Sequence, residues 1–303
     1  MTVWRRFLAT VYAVALVTGG AACAGGPQGI GFGPDRIEQQ ALDALERWDA
    51  AVAAAGGDRQ RAFIPVDRLT DQVGNWELET GDNNKPALIS GEFEAAVALP
   101  TNTPPDAEIS WPDGATRKVP VLSATAALDA ARVAGNHDCP QCRPLRVTAA
   151  RLTIGSIRTS RGVATVPVWE YTLDGTAVKV TQVAIAKASA ITVTPPSWDP
   201  YNAPGGIWIE SAKVSADDRR LTVAFTGSPG TAAEPCGADY TGRSVESANA
   251  VVVIVDERRH AANEMCTAIG AMRTTTVELA QPLGDRAVLE VVQGTPVPVT
   301  AEG

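Results

Sequence analysis

The sequence has little histidine, few aromatic residues and an excess of acid over base. Its 303 residues include only 2 His and 5% aromatics, and 26 Lys plus Arg stand against 34 Asp plus Glu, a formal charge of −8. The shortage of His argues against mechanisms that need several imidazoles. The acidity argues against a nucleic-acid-binding protein, which presents a clustered basic face. Hydrophobic residues still make up 45% of the chain, which suits ordinary folded domains rather than a disordered or polytopic membrane protein.

The motifs of common hydrolases and phosphate-binding sites are also missing. There is no G-x-S-x-G, S-x-x-K or H-E-x-x-H, no glycine-rich phosphate loop and no EF-hand pattern. A Ser-His-Asp triad would have to use His137 or His260, and we expect His260 to be exposed in a turn. Two pairs of acids occur at i,i+2 spacing, Glu77 with Glu79 and Glu92 with Glu94. This spacing indicates solvated strand faces, whereas glycosidase carboxylates flank the sugar from opposite sides.

The amino terminus has the layout of a secretory signal peptide. Arg5 and Arg6 form a basic start, Phe7 to Val17 is an apolar run, and small residues lead to Cys23. The layout also resembles a bacterial lipoprotein signal, in which the Cys after the small residues receives acyl chains such as palmitate and becomes the first residue of the mature chain. We therefore expect a signal peptide over 1–22 and a lipid on Cys23. An ordinary secreted protein and an uncleaved signal anchor are the alternatives.

The cysteine count favours the lipidated form. Of the 5 Cys, Cys23 is set aside for the lipid, and the other four can then pair completely in an oxidising compartment. Three pairings are possible, and we favour Cys139–Cys142 with Cys236–Cys266, because each bridge then stays within one domain. Residues 24–34 are rich in glycine and follow Cys23 as a flexible tether, so region 23–34 would hold the body above the cell membrane.

Periodicity and turn signals predict an α+β domain over 35–193, with two helices on an antiparallel sheet. The helices are expected from Asp35 to the Gly56-Gly57 pair, with Trp48 on the buried face, and from Ser123 to Ala134. The predicted extended segments are Pro86 to Leu99, Ile109 to Val121 with a turn at Trp111 to Gly114, Leu145 to Arg158, Val163 to Leu173, and Val178 to Ala186. Pro167 interrupts the fourth of these, so we expect a bulge or an edge position there.

A proline-rich linker over 194–206 separates this domain from the rest of the chain. Over 207–303 short extended runs alternate with turns at about ten-residue intervals, which is typical of a β-sandwich. A short helical turn is expected within Arg258 to Ile269, and the last extended run at Thr295 to Val299. Three aromatic residues lie in or beside the linker, namely Trp198, Tyr201 and Trp208. They are interpreted either as packing between the domains or as a binding surface for a sugar or a partner protein.

The Cys139-x-x-Cys142 pair allows three interpretations. It forms a disulfide that stiffens the connection from helix to strand, or a redox pair, or part of a metal site with His137. A redox pair is expected to follow a strand and open a helix, and here the order is reversed. A closed zinc site needs four ligands, and no second matching Cys pair is present.

Four segments of the body have a distinctive sequence: Cys139-Pro-Gln-Cys142-Arg-Pro-Leu-Arg-Val-Thr, Thr159-Ser-Arg-Gly162, Val166-Pro-Val-Trp169-Glu-Tyr171 and Pro282-Leu-Gly-Asp-Arg286. With these segments the chain is similar to uncharacterised secreted lipoproteins of high-GC Gram-positive (actinobacterial) bacteria. The resemblance covers most of the mature chain. It implies a lipid-anchored location and a two-part architecture, and it implies no activity.

The sequence thus predicts a lipoprotein at the extracytoplasmic face of the cell membrane, with a non-enzymatic binding or scaffolding role at the cell envelope. The expected partners are the membrane, through the lipid, and an envelope protein or glycan. No cofactor, metal or nucleic acid is expected. The alternative is a thiol redox or metal-handling protein that acts through Cys139 and Cys142. The identity of the ligand and the oligomeric state do not follow from the residues.

Overall fold

A computed structural model describes residues 34–57, 62–135, 139–197 and 203–302. Four residues of interest lie outside these ranges, namely Cys23, His137, Trp198 and Tyr201. The described part is mostly β, with three helices and several sheets, and all of it belongs to one compact unit. The helices are α1 (Pro34–Ala54), α2 (Leu78–Ser90) and α3 (Ala124–Val133).

The first half of the chain forms a seven-stranded sheet. Its strands are β1 (Thr70–Val73), β2 (Phe93–Ala95), β3 (Ala107–Ser110), β4 (Thr116–Val119), β5 (Leu145–Thr159), β6 (Gly162–Leu173) and β7 (Lys179–Val183). Strand β5 pairs along one edge of β6, while β7 and β3 share the other edge. Most neighbours are antiparallel, but β2 runs parallel to β5. Helices α2 and α3 supply Ala87 and Leu128 to a core that contains Trp169 and Tyr171 of β6.

The second half forms two further sheets. The strands are β8 (Ile209–Val214), β9 (Arg220–Gly227), β10 (Ala238–Glu246), β11 (Ala250–Arg259), β12 (Ala271–Glu278), β13 (Ala287–Glu290) and β14 (Val299–Ala301). One sheet has the order β10-β11-β13 and the other β12-β9-β8-β14. A core that includes Leu221, Phe225 and Val253 lies between them. Two strand pairs are parallel, β11 with β13 and β8 with β14.

Helix α1 packs against the second half of the chain, which corrects its assignment to the first domain. Its apolar face, with Leu45 and Trp48, shares a core with Ile254 and Leu289 of the three-stranded sheet. Hydrogen bonds reinforce this contact, since Gln40 donates to the Val291 carbonyl at 2.6 Å. The apolar spacing of α1 predicted that one face would be buried, but not which sheet would cover it. A helix, a three-stranded sheet and a four-stranded sheet therefore follow one another as three layers.

Two of the three helices agree with the sequence analysis, and one was missed. For α3, the hydroxyl of Ser123 accepts a hydrogen bond from the Ala126 N–H at 3.2 Å, as expected of a helix cap. The prediction of a strand from Pro86 to Leu99 is wrong in its first part, because Pro86 lies inside α2. The apolar run after Pro86 is too short for its periodicity to distinguish helix from strand. In the structure it is helical, and Ala87 is buried in the core.

The expected bulge or edge position at Pro167 is also wrong. Pro167 pairs with Ile154 inside β6, and the irregularity between β5 and β6 lies instead between Val147 and Ala149. On the other edge of β6, β3 pairs at Thr165 and β7 pairs from Val168 onward. Pro167 lies between these two pairings. Its carbonyl still accepts a hydrogen bond from the Ala184 N–H at 2.9 Å, so only the missing N–H had to be accommodated.

The predicted linker has no regular secondary structure where it is described, and the last predicted segments differ from the structure. Residues 194–197 and 203–206 have no helix or strand, and the Gly205 N–H donates to Gln40 of α1 at 3.1 Å. No helix forms within 258–269: β11 continues to Arg259, and the loop that follows contains only a turn at 262–263. The last strand, β14, begins at Val299, where the predicted run ends.

Candidate functional site

The two predicted cysteine pairs are at disulfide distance. Cys139 and Cys142 have Cα atoms 5.3 Å apart and form a tight turn between α3 and β5. The next residue, Arg143, forms two hydrogen bonds with the side chain of Asn83 in α2. The Arg143 N–H donates to Asn83 Oδ1 at 2.8 Å, and Asn83 Nδ2 donates to the Arg143 carbonyl at 3.1 Å. The turn is therefore bonded to α2 and leads into a strand rather than a helix.

The second pair anchors the loop between β11 and β12. Cys236 and Cys266 have Cα atoms 5.6 Å apart, and Cys236 has a positive φ of 62°. The Cys236 N–H donates to Glu264 Oε2 at 2.8 Å, and Glu264 Oε1 lies 2.7 Å from His260 Nδ1. The hydrogen bond from the Cys236 N–H lowers the pKa of Glu264, and the contact with His260 lowers it further. Desolvation acts in the opposite direction, but the pKa stays below its ordinary value. His260 is exposed, as expected, and its ring is bonded to the carboxylate of the same loop.

This second cluster has the composition of a metal site but not its chemistry. The ligand atoms of Cys236, Glu264 and Cys266 lie within 4.8 Å of one another. The two sulfurs are bonded to each other, and both oxygens of Glu264 already have partners. Because metals bind the thiolate rather than a disulfide sulfur, the arrangement in the oxidised chain fastens the loop.

Exposed apolar side chains gather at the same end of the four-stranded sheet as this loop. Met265 is fully exposed, Ile269 is 66% exposed and Met272 is 61% exposed, and Trp208 is 47% exposed. The register brings the start of β8, the end of β9 and the start of β12 together, because Ile209 pairs with Phe225 and Met272 pairs with Thr226. We call Trp208, Met265, Ile269 and Met272 the 265–272 surface. Exposed apolar groups of this kind mark interaction sites.

The sequence identified only one member of this surface. Trp208 was one of the three predicted aromatic residues, and Trp198 and Tyr201 lie outside the described residues. The exposed methionines were not identified, because methionine and isoleucine near a strand are usually core residues. The available signal was the position of Met265 beside Cys266 in the loop between β11 and β12, with Met272 just after this loop at the start of β12.

One acid of each pair, Glu77 and Glu94, makes structural contacts. Glu77 lies directly before α2 rather than on a strand, so that expectation is wrong. It accepts hydrogen bonds from the Thr176 hydroxyl at 2.7 Å and the Ala177 N–H at 3.0 Å, and these lower its pKa to about 2. Glu94 lies on β2, where its carboxylate is 3.9 Å from the Arg146 guanidinium.

Shallow concavities occur on the described residues. One, of about 340 Å³, is lined in part by Ser247, Gln281 and Arg286. The Arg286 guanidinium donates to Glu246 at 2.7 Å and to the Gln281 carbonyl at 2.7 Å, so it holds the loop around the Pro282 to Arg286 segment. Another, of about 230 Å³, lies beside Asn83 and Arg143 at the Cys139–Cys142 turn.

None of the helices in the described ranges is both long and apolar enough to cross a membrane. Comparison of the chain with known protein families, curated proteins and solved structures gives no match. The similarity to actinobacterial lipoproteins therefore stays a prediction.

Proposed function

We propose that the chain is a lipid-anchored extracytoplasmic protein that binds an envelope partner through the 265–272 surface and catalyses no reaction. The observation that carries the binding role is the exposure of four large apolar side chains at one end of the four-stranded sheet. The Cys236–Cys266 bridge and the Glu264 hydrogen bonds hold the loop that presents them. Such preorganisation lowers the entropy cost of binding.

The anchor is supported by the cysteines. Four of the five are joined in two pairs, so Cys23 is the one outside these pairs, and it follows the small residues of the signal-like segment. Complete pairing suits an oxidising compartment. We also propose that the chain has two domains with a boundary at 194–206, and that α1 belongs to the second, where it packs on the three-stranded sheet.

Acyl labelling tests the anchor. In a bacterial host that processes lipoproteins, the wild-type chain should incorporate labelled palmitate and sediment with the membrane fraction. Cys23→Ala should lose both properties, whereas Ala24→Ser, a neighbouring control, should keep them. Labelling of the Cys23→Ala variant would contradict lipidation at this residue.

Site-specific crosslinking in cells tests the binding surface. A photoreactive residue at Met265 or Ile269 should give a defined product, and one at Glu278, exposed at the other end of β12, should not. Met265→Glu together with Ile269→Glu should remove the product of a probe at Met272 without lowering Tm, since both side chains are exposed. Equal products at Met265 and Glu278 would contradict the assignment.

A redox or metal-handling role of Cys139 and Cys142 is the competing proposal. The contacts of the turn with Asn83 support a structural bridge instead. Alkylation in a graded thiol buffer separates the two, because a structural bridge resists mild reductant and a redox pair opens readily. Opening of Cys139–Cys142 under conditions that leave Cys236–Cys266 closed would favour the redox role.

A further inference from the structure

The outer edge of β5 is covered at both ends and open between them. At one end β2 pairs with Leu145–Val147. At the other end the Val66 N–H donates to the Arg158 carbonyl at 2.9 Å, and the Ser160 N–H donates to the Ile64 carbonyl at 3.0 Å. Over 148–157 no strand of the described chain pairs with this edge, although β6 pairs with the opposite edge throughout. The sheet therefore has a gap the size of one strand.

The backbone groups that face the gap can be identified from the register. In an antiparallel pair each residue directs its N–H and C=O to the same side, and successive residues alternate. The Arg158 carbonyl and N–H both form hydrogen bonds on the outer edge of β5, with Val66 and Asp67. The backbone groups of every second residue before Arg158 therefore point to the outer edge too. These residues are Ala150, Leu152, Ile154 and Ser156. The irregularity between Val147 and Ala149 shifts the alternation, so the Val147 carbonyl also bonds outward, to the Ala96 N–H at 2.9 Å.

The side chains along the gap differ between the two faces of the strand. Leu152 is 39% exposed and Ile154 is 75% exposed, and both lie on one face with Val163 of β6, which is 50% exposed. The opposite face carries Arg151, whose side chain is 71% exposed and lies 3.0 Å from Glu170. An added strand would therefore meet apolar groups on one face and a guanidinium on the other.

We propose that this gap binds an extended peptide strand with alternating apolar and acidic side chains. The free N–H and C=O groups match the backbone of an extended chain, as in other cases of strand addition. Apolar side chains of the peptide would cover Leu152 and Ile154, and a carboxylate would lie beside Arg151.

Charge argues for such a peptide over a second copy of the chain. Of the three arginines of β5, only Arg151 lies within the gap; it is 3.0 Å from Glu170, and its side chain is still 71% exposed. Antiparallel pairing of two β5 edges about Leu152 would put Arg151 of both copies on the same face of the strand pair, and like charges at neighbouring cross-strand positions destabilise such a pair. An acidic peptide instead places opposite charge on this strand. The gap is a site separate from the 265–272 surface, so it does not depend on the proposed function.

The closing experiment uses the full chain and a fluorescein-labelled peptide of about nine residues that alternates valine and glutamate. Fluorescence anisotropy should give saturable binding. Ile154→Pro removes an outward N–H and leaves the bonds to β6, so it should weaken binding by at least about tenfold. Ile154→Val, the matched control, should bind within about twofold of the wild type. Arg151→Glu should bind a valine–lysine peptide better than the valine–glutamate peptide.

Residue-resolved amide exchange gives a second measurement that needs no variant. In the free chain the amides of Ala150, Leu152, Ile154 and Ser156 should exchange fast, while those of Arg151 and Thr153, which bond to β6, should be protected. The peptide should slow the first set by at least about tenfold. Slow exchange of the first set in the free chain, or no change with the peptide, would overturn the proposal. So would sedimentation of the free chain as a dimer that Ile154→Pro dissociates, because the occupant would then be a second copy.

Discussion

Strands β11, with 10 residues, and β5, with 15, are the longest strands of their halves of the described chain, and their surroundings are opposite. In β11 the residues from Ala250 to Val255 are all buried, since one face meets α1 and the other meets the four-stranded sheet. Strand β10 pairs along one edge, and β13 pairs along the other as far as Val253. In β5 one edge is open over 148–157, and Ile154 is 75% exposed, whereas Ile254 of β11 is fully buried. The difference shows that covering elements, rather than β propensity, decide how much an isoleucine in a strand stabilises the fold.

The matched isoleucines give the largest expected difference. Ile254→Ala should lower the free energy of unfolding by about 4 kcal/mol, because it removes buried methylenes and leaves a cavity. Ile154→Ala should change it by less than about 0.5 kcal/mol, because the side chain is already in water. Urea denaturation of both variants measures the two values. Similar losses would show that β5 is covered in solution.

The two disulfides extend the comparison to the loops of each half. Replacing Cys236 and Cys266 by Ser should cost about 3.5 kcal/mol on the chain-entropy model, since this bridge closes a sequence separation of 30 residues. The same change at Cys139 and Cys142, where the separation is 3, should cost about 2 kcal/mol on the chain-entropy model. Thermal unfolding under non-reducing conditions compares them. A larger loss at Cys139 and Cys142 would mean that native strain or packing outweighs loop entropy.

A buried carboxylate in the second half should contribute through its hydrogen bonds. Glu290 at the end of β13 is fully buried, and its Oε2 accepts from the Val292 N–H at 2.7 Å. Its Oε1 accepts from the Gln293 N–H at 2.9 Å and from the Thr295 hydroxyl at 2.9 Å. Glu290→Gln keeps one acceptor and directs an amide N–H₂ at the other donor, so we expect a loss of about 1–2 kcal/mol in urea. No loss would indicate that the turn rearranges.

The smallest effects are pH dependences of opposite sign in the two halves. For Glu77, hydrogen bonds from Thr176 and Ala177 lower the pKa from 4.5 to about 2, so its contribution to stability is present above pH 4.5 and disappears as the pH falls toward 2. For Glu290, burial raises the pKa against the hydrogen bonds from Thr295, so the unfolded chain ionises first and the contribution falls as the pH rises above 4.5.

Tm measured against pH for Glu77→Gln and Glu290→Gln, relative to the wild type, tests this contrast. The deficit of Glu77→Gln should grow between pH 2 and 4.5. The deficit of Glu290→Gln should shrink as the pH rises above 4.5. Parallel pH profiles for the two variants would contradict it.

Local patterns predicted the elements whose structure is decided locally. The apolar spacing of α1 and α3, the Ser123 cap of α3, and the turn between β5 and β6 were visible in the residues. The continuous apolar run of β11 is typical of a strand buried on both faces, in contrast to the interrupted pattern of β5. Helix α2 was missed because its Pro86 and its short apolar run allow either structure.

The long-range contacts could not be predicted from the sequence. Nothing in the spacing of Leu45 and Trp48 distinguishes a sheet in the first half from one in the second half. The parallel pairing of β11 with β13 depends on where the chain returns, and the open edge of β5 depends on the strands that fail to extend along it. The members of the 265–272 surface are apolar residues whose exposure follows from tertiary packing alone.

The position of α1 also sets the order in which the molecule can be completed. Asp49 of α1 accepts a hydrogen bond from Asn249, which lies 200 residues later, and Gln40 bonds to Val291 across 251 residues. At a synthesis rate of about 5–20 residues per second, the helix waits on the order of tens of seconds for the strands that cover it. Until then the apolar face of α1 is open to chaperones. A nascent chain that ends before β13 therefore leaves this face exposed, although α1 is the first helix of the described chain to be synthesised.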